Sequence, residues 1–161
     1  MILIVMGVVG AGKTTVGRLL AEQLRYEFAD ADDFHPQANI DKISHGIALS
    51  DEDREPWLER LRERILEWDA DGTNAVLACS ALKSSYREKL KAGRDLRFIY
   101  LKGSAELIAQ RLASRHGHFA GKSILGSQMA DLEEPGDAVT VDIGGTPPEI
   151  AAQIRRKLGL A

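Results

Sequence analysis

Cysteine is almost missing from this sequence. The one present, Cys79 among 161 residues, excludes an internal disulfide framework and any four-cysteine zinc site. A reducing, cytoplasmic compartment fits that usage. Long apolar runs are lacking too, and nothing approaches the roughly 20 residues that a membrane helix needs. The apolar start, MILIVMGVVG, has no basic leader and no cleavage pattern, and it runs directly into GAGKTT. It reads as a strand, not a signal peptide. There is little excess charge of either sign: 21 Lys and Arg stand against 24 Asp and Glu, for a net −3. That balance argues against a dedicated nucleic-acid or anionic-membrane binder and leaves only local basic patches. Repeats, low-complexity tracts and a Pro/Gly/Ser linker are also missing, so residues 1–161 read as one domain. Folding a chain of this length buries roughly 69% of its extended surface, which suffices for a core without staples.

What is present is an alternation of short apolar runs and longer amphipathic stretches. Residues 2–6, 26–30, 74–79, 96–101 and 139–143 read as strands. Residues 13–24 carry Val16, Leu19, Leu20 and Leu24 at helical spacing. Ser50 and Asp53 form an S-x-x-D helix start, followed by an apolar face of Trp57, Leu58, Leu61, Ile65 and Trp68. A helix follows the third strand to about residue 91, another spans 106–115, and Thr146-Pro-Pro-Glu149 opens the last with a capping box and first-turn prolines. Residues 116–137 change composition and read as a mobile flap enclosing a short helix. Strand–helix alternation of this kind gives an α/β fold, a parallel sheet with helices on both faces.

The chemistry begins at Gly7-Val8-Val9-Gly10-Ala11-Gly12-Lys13-Thr14, which satisfies G-x-x-x-x-G-K-[ST]. Glycines let the backbone curl until successive N–H groups face one phosphate, and the next helix adds its positive end. Lys13 is placed to reach the β- and γ-phosphates of a nucleotide, Thr14 to offer its hydroxyl to Mg²⁺, and Thr15 to line the same cradle. A phosphate loop does not by itself separate kinases from switch GTPases, ATPases or nucleotide-dependent binding modules. The guanine-reading N-K-x-D pattern is missing.

The segments after the second and third strands decide the matter, because strand C-termini line the ligand crevice of a parallel sheet. Asp30-Ala31-Asp32-Asp33-Phe34-His35 follows the second strand. Phosphoryl transfer to a hydroxyl needs a group that orients the nucleophile and takes its proton. Asp32 is the first choice, with metal contact through water. A solvated acidic turn is the plainer alternative, above all for Asp30 and Asp33. After the third strand, Lys83 and Arg87 stand one helical turn apart and suit an anionic group such as a carboxylate; Arg54 is a similar candidate. Arg111 and Arg115 at i, i+4 lie beside the flap, where arginines neutralise phosphate charge or stack on adenine. His118 stands just beyond them, a substrate or phosphate contact or an idle surface histidine. Cys79, ending an apolar strand with no base indicated, reads as a core residue.

Together these residues resemble the gluconokinases of the small phosphate-loop type, relatives of shikimate kinase and adenylate kinase. The carrying segments are MGVVGAGKTTVG, DADDFHPQANIDKISHG, ALSDEDREPWL, ACSALKSSYREKL, FIYLKG, RLASRHGHF and LGSQMADLEEP, in order over residues 6–135. The resemblance implies a three-layer fold with a five-stranded parallel sheet in the order 2-3-1-4-5. It implies a closing lid over about 116–130, a homodimer, and ATP- and Mg²⁺-dependent phosphorylation of D-gluconate at its 6-hydroxyl. By the same resemblance Arg111 stacks on adenine and Arg115 meets the transferring phosphate. Asp32 is the acid after the second strand, and Lys83 and Arg87 contact the gluconate carboxylate. From their positions alone, His35, Arg54 and His118 are further candidate acceptor contacts. Val9 and Ala11 stand where the family often has Ser, and Ala120 and Ile124 depart from the usual lid residues. Two other readings remain: a kinase of the same fold acting on shikimate or a nucleotide, against which the DDFHP and CSALK segments argue, and a nucleotide-dependent binding protein without phosphotransfer.

Overall fold

The computed structural model describes residues 1–114 and 119–160. Its strands are β1 (Ile2–Met6), β2 (Glu27–Asp30), β3 (Ala75–Ala78), β4 (Leu96–Lys102) and β5 (Val139–Asp142). Its helices are α1 (Lys13–Leu24), α2 (Gln37–Ser44), α3 (Asp51–Asp71), α4 (Ser84–Leu90), α5 (Ala105–Ala113), α6 (Phe119–Asp131) and α7 (Pro147–Leu158), with a 3₁₀ turn at Ala31–Phe34. All strand pairs are parallel, and the order is β2-β3-β1-β4-β5. This is the order expected from the resemblance.

The two-residue period of β1 divides the core. Leu3 and Val5 face one side with Val16 and Leu20 of α1, Ile108 of α5 and Ile154 of α7. Ile2, Ile4 and Met6 face the other, with Trp57, Leu61 and Ile65 of α3 and Leu90 of α4. Helices therefore cover both faces of a sheet whose central strand is wholly buried, which is why that strand reads as an unbroken apolar run. Cys79 lies in the second of these clusters, and burial pushes its thiol up to about 12. It stays a protonated, inert core group.

Both capping boxes form. Ser50 and Asp53 exchange side-chain and backbone hydrogen bonds at the start of α3, and Thr146 and Glu149 do so at the start of α7. Asp53 does more than cap. Its carboxylate accepts from Lys42 Nζ at 2.8 and 2.9 Å and from the Ser50 N–H at 2.9 Å. Asn39, 2% exposed, donates from its side chain to the Asp53 carbonyl at 2.8 Å. The α2 helix is thus pinned to α3 by polar contacts.

Periodicity does not reveal α2, because its Ile40 and Ile43 are 45% and 49% exposed and its N-cap, Pro36, makes no side-chain cap. Other differences are smaller. The helix α6 spans 13 residues where a short one is expected, and α5 stops at Ala113. Arg115 and His118 lie outside the described residues.

The Lys42 and Ser50 contacts hold the Asp53 carboxyl down from 3.8 to about 2. A depressed acid stabilises the fold fully above 3.8 and loses that contribution as pH falls toward 2. The melting-temperature gap between the parent and Asp53→Asn is therefore expected to be constant at higher pH and to shrink across that window; thermal unfolding followed by circular dichroism reads it.

Candidate active site

The site sits at the C-terminal ends of β1, β2 and β3. After Met6 the chain must turn sharply into α1. Gly10 and Gly12 do this at φ +82° and +95°, a region that L side chains avoid. A Cβ on Gly10 would also meet Leu112 Cγ at 2.8 Å, so only glycine fits. Gly12 is the N-cap of α1 and supplies no side-chain cap. The first-turn N–H groups of α1 therefore remain available to an anion, reinforced by the helix dipole.

A pocket of about 200 Å³ opens here. Val9, Gly10, Gly12, Lys13, Thr14 and Thr15 line one side, and Asp30, Asp32, Ser80 and Gln128 line the rest. Gly7, Val8 and Ala11 form the loop beneath; Val8 and Ala11 are buried in the core. Lys13 Nζ donates to the Val8 carbonyl at 3.0 Å, which folds the lysine back over the loop.

Two carboxylates face that lysine side. Asp30 accepts from Thr14 Oγ1 at 2.8 Å and from the Asp32 N–H at 3.0 Å. It therefore ties the phosphate loop to the turn that carries Asp32, a role the sequence reading did not assign. Burial raises the Asp32 pKa above the ordinary 3.8; Asp30 and Asp33 raise it further, while Lys13 opposes. A carboxylate destabilised in its ionised form, beside a cation, is suited to receive a proton. The carbonyl of the preceding residue, Ala31, accepts from Trp57 Nε1 at 2.7 Å, so a core tryptophan fixes this turn.

Hard oxygen donors are what Mg²⁺ takes, usually few from protein and the rest from phosphate and water. Thr14 and Asp30, hydrogen-bonded to each other, with Asp32 beside them, fit that pattern. Among the described residues no group of three or more His, Cys, Asp or Glu could hold a metal by itself.

A second cluster lies beyond Ser80. Lys83 Nζ donates to both Asp51 oxygens at 3.0 and 3.3 Å. The Tyr86 hydroxyl donates to the same carboxylate, and Arg54 Nη1 stands 3.9 Å from it. Arg54 also donates to the Tyr86 hydroxyl at 2.8 Å. These hydrogen bonds, Tyr86's first, hold the Asp51 pKa below its usual value. His35 stacks on Trp57 with centroids 4.6 Å apart, and burial and the Arg54 charge lower its pKa, so it is a neutral hydrogen-bonding group at pH 7. The structure thus gathers Arg54 and Lys83 on one carboxylate and brings His35 within reach of the Arg54 charge.

Arg87 is not in that gathering. The shared-face expectation fails because Lys83 is the extended N-cap of α4, not part of it. Arg87 points inward, 6% exposed, and donates to the carbonyls of Ala81 (2.8 Å), Leu82 (3.1 Å) and Glu133 (2.8 Å). Ala81 sits at φ +45°, a left-handed conformation costing about 1–2 kcal/mol for a residue with a Cβ. The guanidinium holds this strained turn, and the turn presents Ser80 and Lys83. Arg87 supports the acceptor side from behind.

Arg111 lies apart from the pocket. It donates to the carbonyls of Ile143 and Gly145, at the loop between β5 and α7.

With this geometry in view, the relatives are informative. A family model for shikimate kinase matches residues 9–135. The chain is 40% identical to a probable gluconokinase of Xenopus tropicalis, over 99% of this chain and 96% of that one. It is 49% identical to a gluconokinase of Gluconobacter oxydans, over 84% and 76% respectively. A crystal structure of a gluconokinase from Sinorhizobium meliloti superposes with a TM-score of 0.87 at 41% identity, covering 98% of this chain and 90% of that one. Likeness of this extent, on a shared sheet and phosphate loop, makes the chain a member of the gluconokinase family within the shikimate-kinase group of folds.

Proposed function

We propose that this chain transfers the γ-phosphoryl group of ATP to the 6-hydroxyl of D-gluconate, giving 6-phospho-D-gluconate and ADP. The observation that carries the reading is the pocket lined by Lys13, Thr14 and Asp32, the last with its ionised form destabilised. Loop N–H groups and the start of α1 hold the phosphates, and Lys13 neutralises charge on the transferred group. The 6-hydroxyl oxygen bonds to the γ-phosphorus, and the bond from that phosphorus to the bridging oxygen breaks. The electron pair leaves on the β-phosphate of ADP, and the hydroxyl proton passes to Asp32. Thr14, Asp30 and Asp32 would hold Mg²⁺, which would supply charge neutralisation of the phosphates.

The acceptor's carboxylate belongs with Lys83 and Arg54, since this cluster, with Tyr86, already satisfies a carboxylate in Asp51. His35 serves as a hydroxyl partner. By family resemblance Arg111 meets adenine and Arg115 the transferring phosphate, and His118, just beyond them in sequence, is a candidate contact to the acceptor. The same resemblance supports a lid over about 116–130 on one domain, a cytoplasmic homodimer, and the Mg²⁺ requirement. Purified protein with ATP, Mg²⁺ and a panel of acceptors tests the reading by ADP release. Gluconate is expected to stimulate release strongly, and shikimate and nucleoside monophosphates to leave it at background; the reverse pattern would refute it.

A further inference from the structure

The phosphate loop makes one contact that the reaction scheme leaves unexplained. The Val9 N–H donates to Gln128 Oε1 at 2.7 Å, joining residues far apart in sequence. Gln128 lies in the last turns of α6, half-buried, and lines the pocket with Lys13, Thr14, Asp30 and Asp32.

The orientation of its amide follows from hydrogen-bond chemistry. A backbone N–H only donates, so the atom facing Val9 must be the amide oxygen. The amide nitrogen is then the remaining donor of a side chain that lines the pocket. Among the described residues that nitrogen donates no hydrogen bond.

The position is fixed on the other side as well. Leu125 of α6 is 5% exposed in the core. Just past the helix end, the Glu133 N–H donates to the Leu82 carbonyl at 2.8 Å, and its side chain accepts from the Ser84 N–H at 2.9 Å. Gln128 is therefore held between the phosphate loop and the turn that presents Lys83.

We propose that Gln128 is a γ-phosphoryl contact: its oxygen, latched to Val9, aims its amide nitrogen at the oxygens of the group being transferred. A neutral donor there stabilises phosphate charge without adding a cation, and it makes the end of α6 part of the nucleotide site. The proposal uses the phosphotransfer reading only to place the ATP terminus in this pocket. Its test uses no acceptor, so a failure to phosphorylate gluconate leaves the outcome readable.

Gln128→Glu keeps an acceptor for the Val9 N–H and replaces the pocket-facing donor with a charged acceptor. Gln128→Met keeps length and helix preference and removes both functions. Calorimetric binding of a non-hydrolysable ATP analogue and of ADP, both with Mg²⁺, is compared across the three proteins, with thermal unfolding as the check on fold. The analogue is expected to weaken on the order of tenfold to a hundredfold in Gln128→Glu, the range of a hydrogen bond to a charged group. The loss is expected to be smaller in Gln128→Met, with ADP changing by less than about threefold in both. If Gln128→Glu binds the analogue like the parent, or if ADP weakens as much as the analogue, Gln128 is only a structural latch and the proposal is wrong.

Discussion

Asp32→Asn is expected to lower kcat by about 10²–10⁴, the usual contribution of a positioned general base, with little change in KM for ATP. Asparagine keeps the shape and can still accept a hydrogen bond, but it cannot take the hydroxyl proton. The pH profile separates this role from a merely structural one. Burial and the neighbouring acids raise the Asp32 pKa, and a base works only when deprotonated. The acid limb of kcat/KM should therefore lie above the ordinary 3.8 in the parent and disappear from the residual activity of the variant. Stability should move the other way. A carboxyl whose folded pKa is raised costs the native state stability as pH rises past 3.8 toward that higher value. Asp32→Asn should accordingly melt no lower than the parent at neutral pH. Steady-state kinetics and thermal unfolding on one preparation check both halves.

Lys13→Met is expected to lower kcat/KM for ATP by about 10²–10³, comparable to removing one preorganised donor from a developing negative charge. The side chain sits against the Val8 carbonyl, over the loop that cradles the phosphates. It has a second effect, because its charge opposes the rise in the Asp32 pKa. Without it that pKa climbs further, so the acid limb of the remaining activity should shift upward. A variant that lost rate with an unmoved acid limb would show that Lys13 and Asp32 do not share a site.

The parts that local chemistry determines were legible in the sequence. The phosphate loop needs glycines at left-handed positions, and Gly10 and Gly12 occupy them. The capping boxes at Ser50 and Thr146 are sequence-local and form as read. The strand order is the one the resemblance implied, and Asp32 stands opposite the loop as strand-end reasoning requires. What the sequence hid depends on distant segments. Arg87 turns inward because Glu133, far along the chain, brings a carbonyl to it. Spacing alone could not show that Lys83 stands outside the helix as its N-cap. Nothing local to Asp30 separates it from a solvated acid; its role comes from the Thr14 hydroxyl that the fold sets beside it. Gln128 lies in a segment with no apolar period, and only the packing of α6 brings it to Val9. The α2 helix escaped because polar groups, Asn39 and Lys42, hold it to α3 while its isoleucines face outward.

The central claim is phosphoryl transfer to one hydroxyl of a sugar acid, and product structure tests it most directly. Purified protein is incubated with ATP, Mg²⁺ and D-gluconate, and the product is examined by phosphorus–proton correlated NMR. The account predicts a single new phosphate ester coupled to the protons of the C6 methylene, formed in step with ADP. A phosphate on another carbon, or ATP consumption that gluconate does not accelerate, would contradict it.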